Sequence, residues 1–330
     1  MKILGIETSC DETSVSVVQD GAKVLTLVTA TSLEMHKKTR GITPENAARK
    51  QVEYMIPVLQ EALSNQDVDA VAVTENPGLI GSLVVGVETA KALSFALDKP
   101  LHLISHLMGH IYSLWLDKNR KEQPKFPFVV LLVSGGHTEL YLVKSHQQIN
   151  FLGGTRDDAV GECFDKVARS LELGYPGGPA IDAEASKIFN SQFSIYFALR
   201  NTRKVCNKNT FKLPKPMITS KDCEFSFSGL KTAVHRITLS KKLNNDEVTQ
   251  LAFEFRETAV EILISKLLFA SKMNQTKNIA VVGGVAANAL LRQRLEELRS
   301  TYTVFLPHLK YTGDNGAMIA SNAYFNNYSK

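Results

Sequence analysis

Short apolar runs separated by polar turns are the most regular feature of the sequence, and two groups of them follow the same plan. The first group is the apolar run 3–6 followed, after a polar stretch, by Val15, Val17 and Val18. The second group is the apolar run 128–133, a turn at 134–137 and the run 140–143. Apolar positions with this length and spacing predict β-strands, so each group predicts a two-stranded hairpin. We interpret the repeated plan as an internal duplication.

Helices and strands alternate after each predicted hairpin. Pro44, directly after Thr43, predicts a helix start, and the apolar face expected for that helix is Ala48, Val52, Met55, Ile56, Leu59 and Leu63. Further along, the pattern predicts strands at 68–73 and 279–282 and helices at 158–173, 248–272 and 286–299. Such alternation is typical of a largely parallel sheet that binds ligands at its strand ends.

These elements predict an α/β protein made of two duplicated lobes with a ligand cleft between them. A lobe that opens with a hairpin and has glycine-rich turns facing a cleft favours the actin-like nucleotide-binding fold, the ASKHA or RNase H-like class. We expect an N-terminal lobe at 1–123 and a C-terminal lobe at 124–314. The last helix, about 315–330, is expected to pack back on the first lobe.

Composition narrows the class of protein. The chain has 330 residues, 44% of them hydrophobic and 22% charged, which is a globular balance with room for two domains. Four scattered cysteines without a CxxC pair favour a reducing compartment, the cytoplasm. The early acidic residues Glu7 and Asp11 leave no room for a signal peptide, and no apolar run is expected to reach the roughly 18 residues of a membrane span.

Positive charge is concentrated in one segment. The net charge is +5, and the region near 199–221 is expected to be a basic insertion. It contains seven basic residues and no acidic one between its first and last cation, namely Arg200, Arg203, Lys204, Lys208, Lys212, Lys215 and Lys221. Such a segment is usually a solvated loop, but beside a cleft it is able to follow a nucleic-acid backbone.

Two histidines four residues apart are the strongest candidate metal ligands. His106 and His110 follow the predicted strand 101–104, and this spacing places both imidazoles on one helix face. Asp314 is the candidate third ligand, with helix capping as its alternative role. Proteolysis is disfavoured because zinc proteases carry a glutamate directly after the first histidine, where this chain has Leu107.

Glycine turns and a few polar residues indicate a phosphate or nucleoside site. The turns lie at 135–136, 177–178 and 283–284, where backbone N–H groups have free access to an anion. Asp165, Asp182 and Asn288 are candidate ligands for the hydroxyl groups or base of a nucleoside. Their ordinary alternatives are an ion pair on a helix face, a turn residue and a helix start.

Eight motifs together resemble one known family over nearly the whole chain. They are ILGIETSCDETS (3–14), HLMGH (106–110), LLVSGGHT (131–138), DDAVGECFDKVAR (157–169), YPGGP (175–179), FSFSGLKT (225–232), GGVAAN (283–288) and TGDNGAMIA (312–320). In this order they closely resemble the TsaD family of tRNA N6-adenosine threonylcarbamoyltransferases, which once carried the name O-sialoglycoprotein endopeptidase.

The resemblance implies a reaction and its partners. The threonylcarbamoyl group of threonylcarbamoyl-AMP would move to N6 of the adenosine 3′-adjacent to the anticodon, in tRNAs that read codons beginning with A. A second actin-fold paralogue similar to TsaB and a small ATPase similar to TsaE would be partner proteins. No membrane is implied.

The resemblance also implies the site residues. One divalent metal ion, iron(II) or alternatively zinc, would be bound by His106, His110 and Asp314. The adenylate ligand, with ATP or AMP as analogues, would be bound by Leu132, Val133, Ser134, Gly135, Gly136, Asp165, Gly178, Asp182 and Asn288.

Two positions depart from the family pattern, and two acids are candidates for proton transfer. The family usually has an acidic residue where this chain has Met108, and a histidine where it has Gln51.

Asp11 and Glu12, in the first hairpin loop, are the candidate catalytic acids or bases. Two alternative classes stay open: an actin-like small-molecule kinase or ATPase, and a non-catalytic assembly paralogue.

Overall fold

A five-stranded sheet forms the centre of the first lobe. The structure, a computed structural model, describes residues 1–39, 41–119, 122–189 and 211–329. The strands β1 (Lys2–Glu7), β2 (Glu12–Gln19), β3 (Lys23–Thr31), β4 (Ala70–Asn76) and β5 (Leu101–Ser105) are arranged in the order β3-β2-β1-β4-β5. The first three form an antiparallel meander, and β4 and β5 continue the sheet parallel to β1. The predicted hairpin of β1 and β2 is confirmed.

The second lobe repeats this sheet. Its strands are β6 (Phe128–Val133), β7 (Thr138–Ser145), β8 (Gln148–Gly154), β9 (Asn278–Val282) and β10 (Thr303–Phe305), in the order β10-β9-β6-β7-β8. Here too a three-stranded antiparallel meander comes first, and two strands then extend the sheet parallel to the first strand of the meander. The matching order and directions confirm the duplication, which weak sequence identity alone only suggested.

Helices cover both sheets. In the first half of the chain they are α1 (Leu33–Thr39), α2 (Pro44–Ala62), α3 (Ile80–Leu97) and α4 (His106–Tyr112), followed by a 3-10 turn at Ser113–Trp115. In the second half they are α5 (Val160–Ser170), α6 (Gly177–Ser186), α7 (Ser228–Ser240), α8 (Asn245–Met273), α9 (Ala289–Glu297) and α10 (Gly316–Asn327). The remaining 3-10 turns are Lys187–Phe189, Gly284–Ala287, Leu298–Ser300 and Leu309–Tyr311.

The last helix belongs to the first sheet. α10 packs against β1, β2 and β4 on the face opposite α2 and α3. Gly5 makes this close approach possible, because an added Cβ there would lie 2.0 Å from the Gly316 carbonyl oxygen. The chain therefore returns to its first lobe after building the second, and residues before α10 lie beside the ends of the first strands.

The buried face of α2 differs from the predicted one. Val52 and Ile56 were expected inside, but they are 62% and 59% exposed. The buried positions are instead Ala47, Gln51, Met55, Val58, Leu59 and Ala62. The face is rotated because a polar residue, Gln51, makes hydrogen bonds to the sheet side of the helix, which an apolar count does not detect.

Helix α3 corrects another expectation. Its 18 residues are long and apolar enough, by length and composition, to cross a membrane, although no such segment was expected. It packs on β4 and α2, while Ile80 and Phe95 are 82% and 91% exposed.

The predicted helix 286–299 also begins later than expected, since a 3-10 turn precedes α9. Of the predicted basic insertion near 199–221, residues up to 210 lie outside the described residues.

Candidate metal centre and nucleoside cavity

Three candidate metal ligands converge at the ends of the first sheet. His106 and His110 lie at the start and middle of α4, directly after β5, and are 7% and 0% exposed. Asp314 precedes α10, and its Oδ1 lies 3.2 Å from His110 Nε2 and 3.6 Å from His106 Nε2. One ligand atom from each of the three residues falls within 4.8 Å of the others. The cap of α10 is Asn315, which accepts from Met318 N at 3.0 Å, so Asp314 does not serve as the helix cap.

The imidazole of His110 shows that this donor set fits a metal ion. Both of its ring nitrogens are buried, and neither has an assigned hydrogen bond to a described residue, although Asp314 Oδ1 lies 3.2 Å from Nε2. A buried polar atom without a partner costs about 1–3 kcal/mol. A metal ion coordinated by Nε2 would satisfy one of these nitrogens. Two imidazoles and one carboxylate are a common metal-binding set.

A fourth residue, Glu7, fixes the orientation of His106. Its side chain is fully buried at the end of β1, and Oε2 lies 3.1 Å from His106 Nδ1. The carboxylate also accepts hydrogen bonds from Ser9 N at 2.6 Å and from the hydroxyl of Thr74. A carboxylate behind a ligating histidine holds the proton on the far nitrogen and leaves the near nitrogen available to the metal. The sequence analysis did not single out Glu7; its position directly after the apolar run 3–6 was the available signal.

The buried cluster brings two carboxylates close to two imidazoles. Burial alone would lower the pKa of His106, but the carboxylates of Asp314 and Glu7 outweigh it and raise the pKa to about 9. Burial would raise the pKa of Asp314, but His106 and His110 outweigh it and bring the pKa to about 2. The cluster is therefore built to hold positive charge, as a proton or as a metal ion.

Gln51 supports the loop that follows β1. Its Nε2 lies 3.2, 3.0 and 3.1 Å from the carbonyl oxygens of Thr8, Cys10 and Glu12. One amide therefore ties three alternate carbonyls of the acidic loop to α2, at the position where the family usually has histidine. The other departure has no such consequence, since Met108 packs on the aromatic cluster behind α4.

Asp11 and Glu12, the two acids of that loop, lie near the cluster of His106, His110 and Asp314. Asp11 is 9% exposed, and Glu12 is half-buried by its accessible surface. Burial raises the pKa of Glu12 well above its usual range, and the nearby charges of Asp314 and Asp11 raise it further. Across the cleft, burial lowers the pKa of His137 in the second lobe, and His106 and His110 lower it further. The charges of His106 and His110 are therefore felt at the first turn of the second lobe.

A cavity in the second lobe collects most of the predicted nucleoside residues. Its volume is about 310 Å³, and its lining is Gly135, Gly161, Phe164, Asp165, Gly178, Pro179, Asp182, Gly284, Val285, Ala287 and Asn288. A Cβ added at Gly135, Gly178 or Gly284 would meet no atom within 4 Å. The backbone at these turns is therefore open to a ligand.

Asp165 is held at the cavity wall by the α5–α6 junction. Its Oδ1 accepts from Gly177 N at 2.7 Å, and burial raises its pKa. Gly177 has no room for a side chain, because a Cβ would lie 2.5 Å from Asp165 Cα. On the same helix, Lys166 Nζ and Glu162 Oε1 form an ion pair at 2.7 Å.

Asp182 and Asn288 have structural bonds as well as a place on the cavity wall. Asp182 accepts from Arg256 Nη1 at 2.8 Å and from Ala289 N at 3.0 Å, so it joins α6, α8 and the start of α9. Asn288 is the N-cap of α9 and accepts from Leu291 N at 2.9 Å. Its side-chain NH2 group makes no hydrogen bond to the described residues that would prevent contact with a ligand.

The other predicted ligand residues lie at or beneath the turn after β6. Leu132 and Val133 are fully buried in separate clusters on the two faces of the sheet, so their side chains do not line the cavity. Ser134 closes the turn, since its Oγ accepts from His137 N at 3.1 Å. Gly136 is exposed, with open space where a Cβ would be.

The fold and the site together define a class of protein. It is a two-lobed, actin-like α/β protein with a His–His–Asp cluster in one lobe and a glycine-lined cavity in the other. Component A of the (R)-2-hydroxyglutaryl-CoA dehydratase of Acidaminococcus fermentans has the same fold, with a TM-score of 0.52 and 15% identity over 98% of each chain. At that identity the likeness concerns the fold alone.

Sequence comparison identifies the family. The profile of TsaD, the tRNA N6-adenosine threonylcarbamoyltransferase, matches residues 23–321. The enzyme of that name from Staphylococcus haemolyticus is 42% identical over 98% of this chain and 90% of its own. The one from Syntrophobacter fumaroxidans is 43% identical over 98% of this chain and 94% of its own. The chain belongs to the TsaD family and is a threonylcarbamoyltransferase that modifies adenosine in tRNA.

Proposed function

We propose that this chain binds threonylcarbamoyl-AMP across its cleft, with the nucleotide in the second-lobe cavity and the threonylcarbamoyl end at His106, His110 and Asp314. The acceptor is N6 of the adenosine 3′-adjacent to the anticodon. The observation that supports this best is the convergence of the three ligand atoms within 4.8 Å, at a buried imidazole whose ring nitrogens have no assigned hydrogen bond to a described residue. The cavity and its open glycine turns support the nucleotide half of the proposal.

The metal is proposed to be a single divalent ion. We favour iron(II), because two histidines and one carboxylate with open positions are the ligand set of non-haem iron(II) sites; zinc accepts the same donors and is the alternative. When bound, such an ion polarises a carbonyl group as a Lewis acid. Glu7 orients His106 for this purpose by holding the proton on Nδ1.

The nucleotide is proposed to contact the second lobe mainly through backbone groups. The phosphate would lie at the turn of Ser134, Gly135 and Gly136, and the nucleoside at Asp165, Gly178, Asp182 and Asn288. Leu132 and Val133 would act only by holding that turn, because their side chains are buried away from the cavity. This placement keeps the donor's reactive carbonyl between the two lobes, where proximity to the acceptor lowers the barrier.

The reaction needs a proton acceptor near the proposed metal site. N6 forms a bond to the carbamoyl carbon, the bond from that carbon to the phosphate oxygen breaks, AMP leaves, and one proton is released from N6. Asp11 and Glu12 are the proposed acceptors. Burial and the charges of Asp314 and Asp11 raise the pKa of Glu12, which makes its carboxylate form a stronger base than an exposed glutamate.

Transfer of labelled threonylcarbamoyl from its adenylate into unmodified tRNA tests the proposal. His110→Ala should abolish incorporation and metal binding together, while His308→Ala, which removes an exposed imidazole, should change neither. Incorporation by metal-free protein or by the His110→Ala variant at the wild-type rate would contradict the proposed metal site. ATP-dependent phosphorylation of a small molecule, without transfer, would instead indicate an actin-like kinase or ATPase.

Partner proteins are proposed from the family resemblance and one surface. α2 and α3 pack together and carry exposed apolar side chains, namely Val52, Ile56, Ile80, Val84 and Phe95. An apolar surface of this kind marks an interface, and we assign it to the actin-fold paralogue; a small ATPase would join the complex, in the cytoplasm. Val84→Glu should abolish association with the paralogue in size-exclusion chromatography, whereas Leu309→Glu, also at an exposed apolar position, should not. Equal association of both variants would contradict this assignment.

A further inference from the structure

A second cavity, separate from the nucleoside cavity, lies in a groove between α5 and α7. Its volume is about 270 Å³, and its lining is Lys166, Arg169, Ser170, Lys231, Thr232 and His235. Three of these six side chains carry a positive charge. Two carry hydroxyl groups, which donate to Lys166 O and Ser228 O within their own helices. None of the functions assigned above uses this groove.

Two adjacent aspartates build the groove. Asp158 binds Lys166 Nζ at 2.9 Å and also pairs with Lys231 Nζ, so it holds one lysine from each helix. Asp157 accepts from Phe227 N at 2.8 Å and from Ser228 N at 3.2 Å, which fixes the start of α7. The cationic groups are therefore held in place before a ligand arrives, which lowers the entropy cost of binding.

The residues that line the groove carry positive charge and no carboxylate. Their acidic partners lie outside the lining: Asp158 pairs with Lys166 and Lys231, and Glu162, which also pairs with Lys166, is half-exposed to solvent. Hydrogen bonds to Glu162 and Asp158 raise the pKa of Lys166, so it stays protonated. An anion with several oxygen acceptors is able to accept hydrogen bonds from these cations together.

The groove lies beside the active cleft. α5 places Asp165 on the wall of the nucleoside cavity and Lys166 and Arg169 on the wall of the groove. Arg169 also faces the first lobe, since a Cβ at Gly41 would lie 3.6 Å from its Nη2. A polynucleotide whose adenosine enters the cleft would thus pass the groove with its neighbouring phosphates.

We propose that this groove binds a backbone phosphate of the tRNA next to the acceptor adenosine. The inference rests on the transferase function and adds a place where its polymeric substrate is held. Apart from the imidazole of His235, the lining offers no aromatic face for a base, so the contact is to the backbone and is independent of sequence.

Equilibrium binding of tRNA at several salt concentrations tests the inference. Arg169→Gln and Lys231→Gln should each weaken binding by about tenfold and reduce the slope of log K against log salt by about 0.7–0.9, the value for one lost phosphate contact. The KM for tRNA should rise, while kcat at saturating tRNA and the affinity for AMP stay at wild-type values. Lys231→Arg, which keeps the charge, should restore the slope.

Lys277→Gln is the matched control. Lys277 is exposed and precedes β9, at the end of the sheet opposite the cleft, so its removal should leave the slope unchanged. Wild-type tRNA affinity and slope in both groove variants would overturn the inference, and so would lost turnover with unchanged tRNA affinity. Weaker AMP binding in these variants would also overturn it, because the groove would then hold a mononucleotide phosphate. A wild-type chain that binds tRNA through the groove but transfers nothing would contradict only the proposed function.

Discussion

Replacing Glu7 with glutamine tests whether the proposed metal site depends on the carboxylate behind His106. In the structure Glu7 Oε2 lies 3.1 Å from His106 Nδ1, while His106 Nε2 faces Asp314 at 3.6 Å. The carboxylate therefore holds the proton on Nδ1 and keeps Nε2 free for the metal. Glutamine has nearly the same shape but lacks the charge, so the change removes the electrostatic part of this interaction.

The size of the effect follows from the contacts of Glu7. Loss of an outer partner of a ligating histidine weakens metal binding by about 10–100-fold, or about 1.4–2.7 kcal/mol. We expect the upper part of that range. Glu7 also accepts from Ser9 N at 2.6 Å and from the Thr74 hydroxyl, so a glutamine NH2 group would face at least one other donor in a fully buried position.

Metal affinity is measured by competition with a chromophoric chelator near neutral pH. Glu296→Gln, an exposed carboxylate paired with Arg299 in the second lobe, is the control and should retain wild-type affinity. An affinity of Glu7→Gln within about twofold of wild type would refute the orienting role. Thr74→Val removes one hydrogen bond to Glu7 and leaves its charge; it should weaken metal binding less, and it provides the test if Glu7→Gln fails to fold.

Three further predictions concern neighbouring features. A metal ion must replace the Nε2 proton of His106, and the pKa of His106 is about 9 in the metal-free protein. Metal affinity should therefore rise about tenfold per pH unit up to that pH, which isothermal titration calorimetry measures. An affinity that does not change with pH would exclude this proton release. Gln51→Leu should lower the free energy of unfolding by about 1–3 kcal/mol by leaving three carbonyls without their donor, and Gln51→His should retain transfer activity; equal unfolding curves for Gln51→Leu and wild type would contradict the bracing role. Gly177→Ala should lower the free energy of unfolding by about 1–3 kcal/mol, because its Cβ has no room. Gly178→Ala has open space at its Cβ, so it should keep wild-type stability and weaken AMP binding. A stable Gly177→Ala variant and a destabilised Gly178→Ala variant would contradict the assigned cavity.

The fold was largely predictable because its signals are local. Strands β1 and β6 are continuous apolar runs, and Pro44 begins α2 as its position after Thr43 predicts. The prediction of which face of α2 is buried was wrong at Val52 and Ile56. These side chains form an exposed apolar surface together with α3. Periodicity cannot distinguish an apolar residue that faces the core from one that faces a partner.

The candidate site was also predictable only where its residues lie close together along the chain. A spacing of four already places His106 and His110 on one helix face, but Asp314 joins them only because α10 returns to the first sheet. Asp182 and Asn288 lie on the wall of the second-lobe cavity and also make hydrogen bonds to α8 and within α9 that no motif predicts.

By itself, the sequence determined the alternation of strands and helices, the duplication, the histidine pair, the glycine turns and the family. Those features depend on the order and spacing of residues close together along the chain. Only the tertiary structure decided that Glu7 orients His106, that Gln51 braces the acidic loop, and that Asp157 and Asp158 hold two helices around a cationic groove. These are contacts between segments far apart in the chain, and their geometry arises from the way the elements pack against one another.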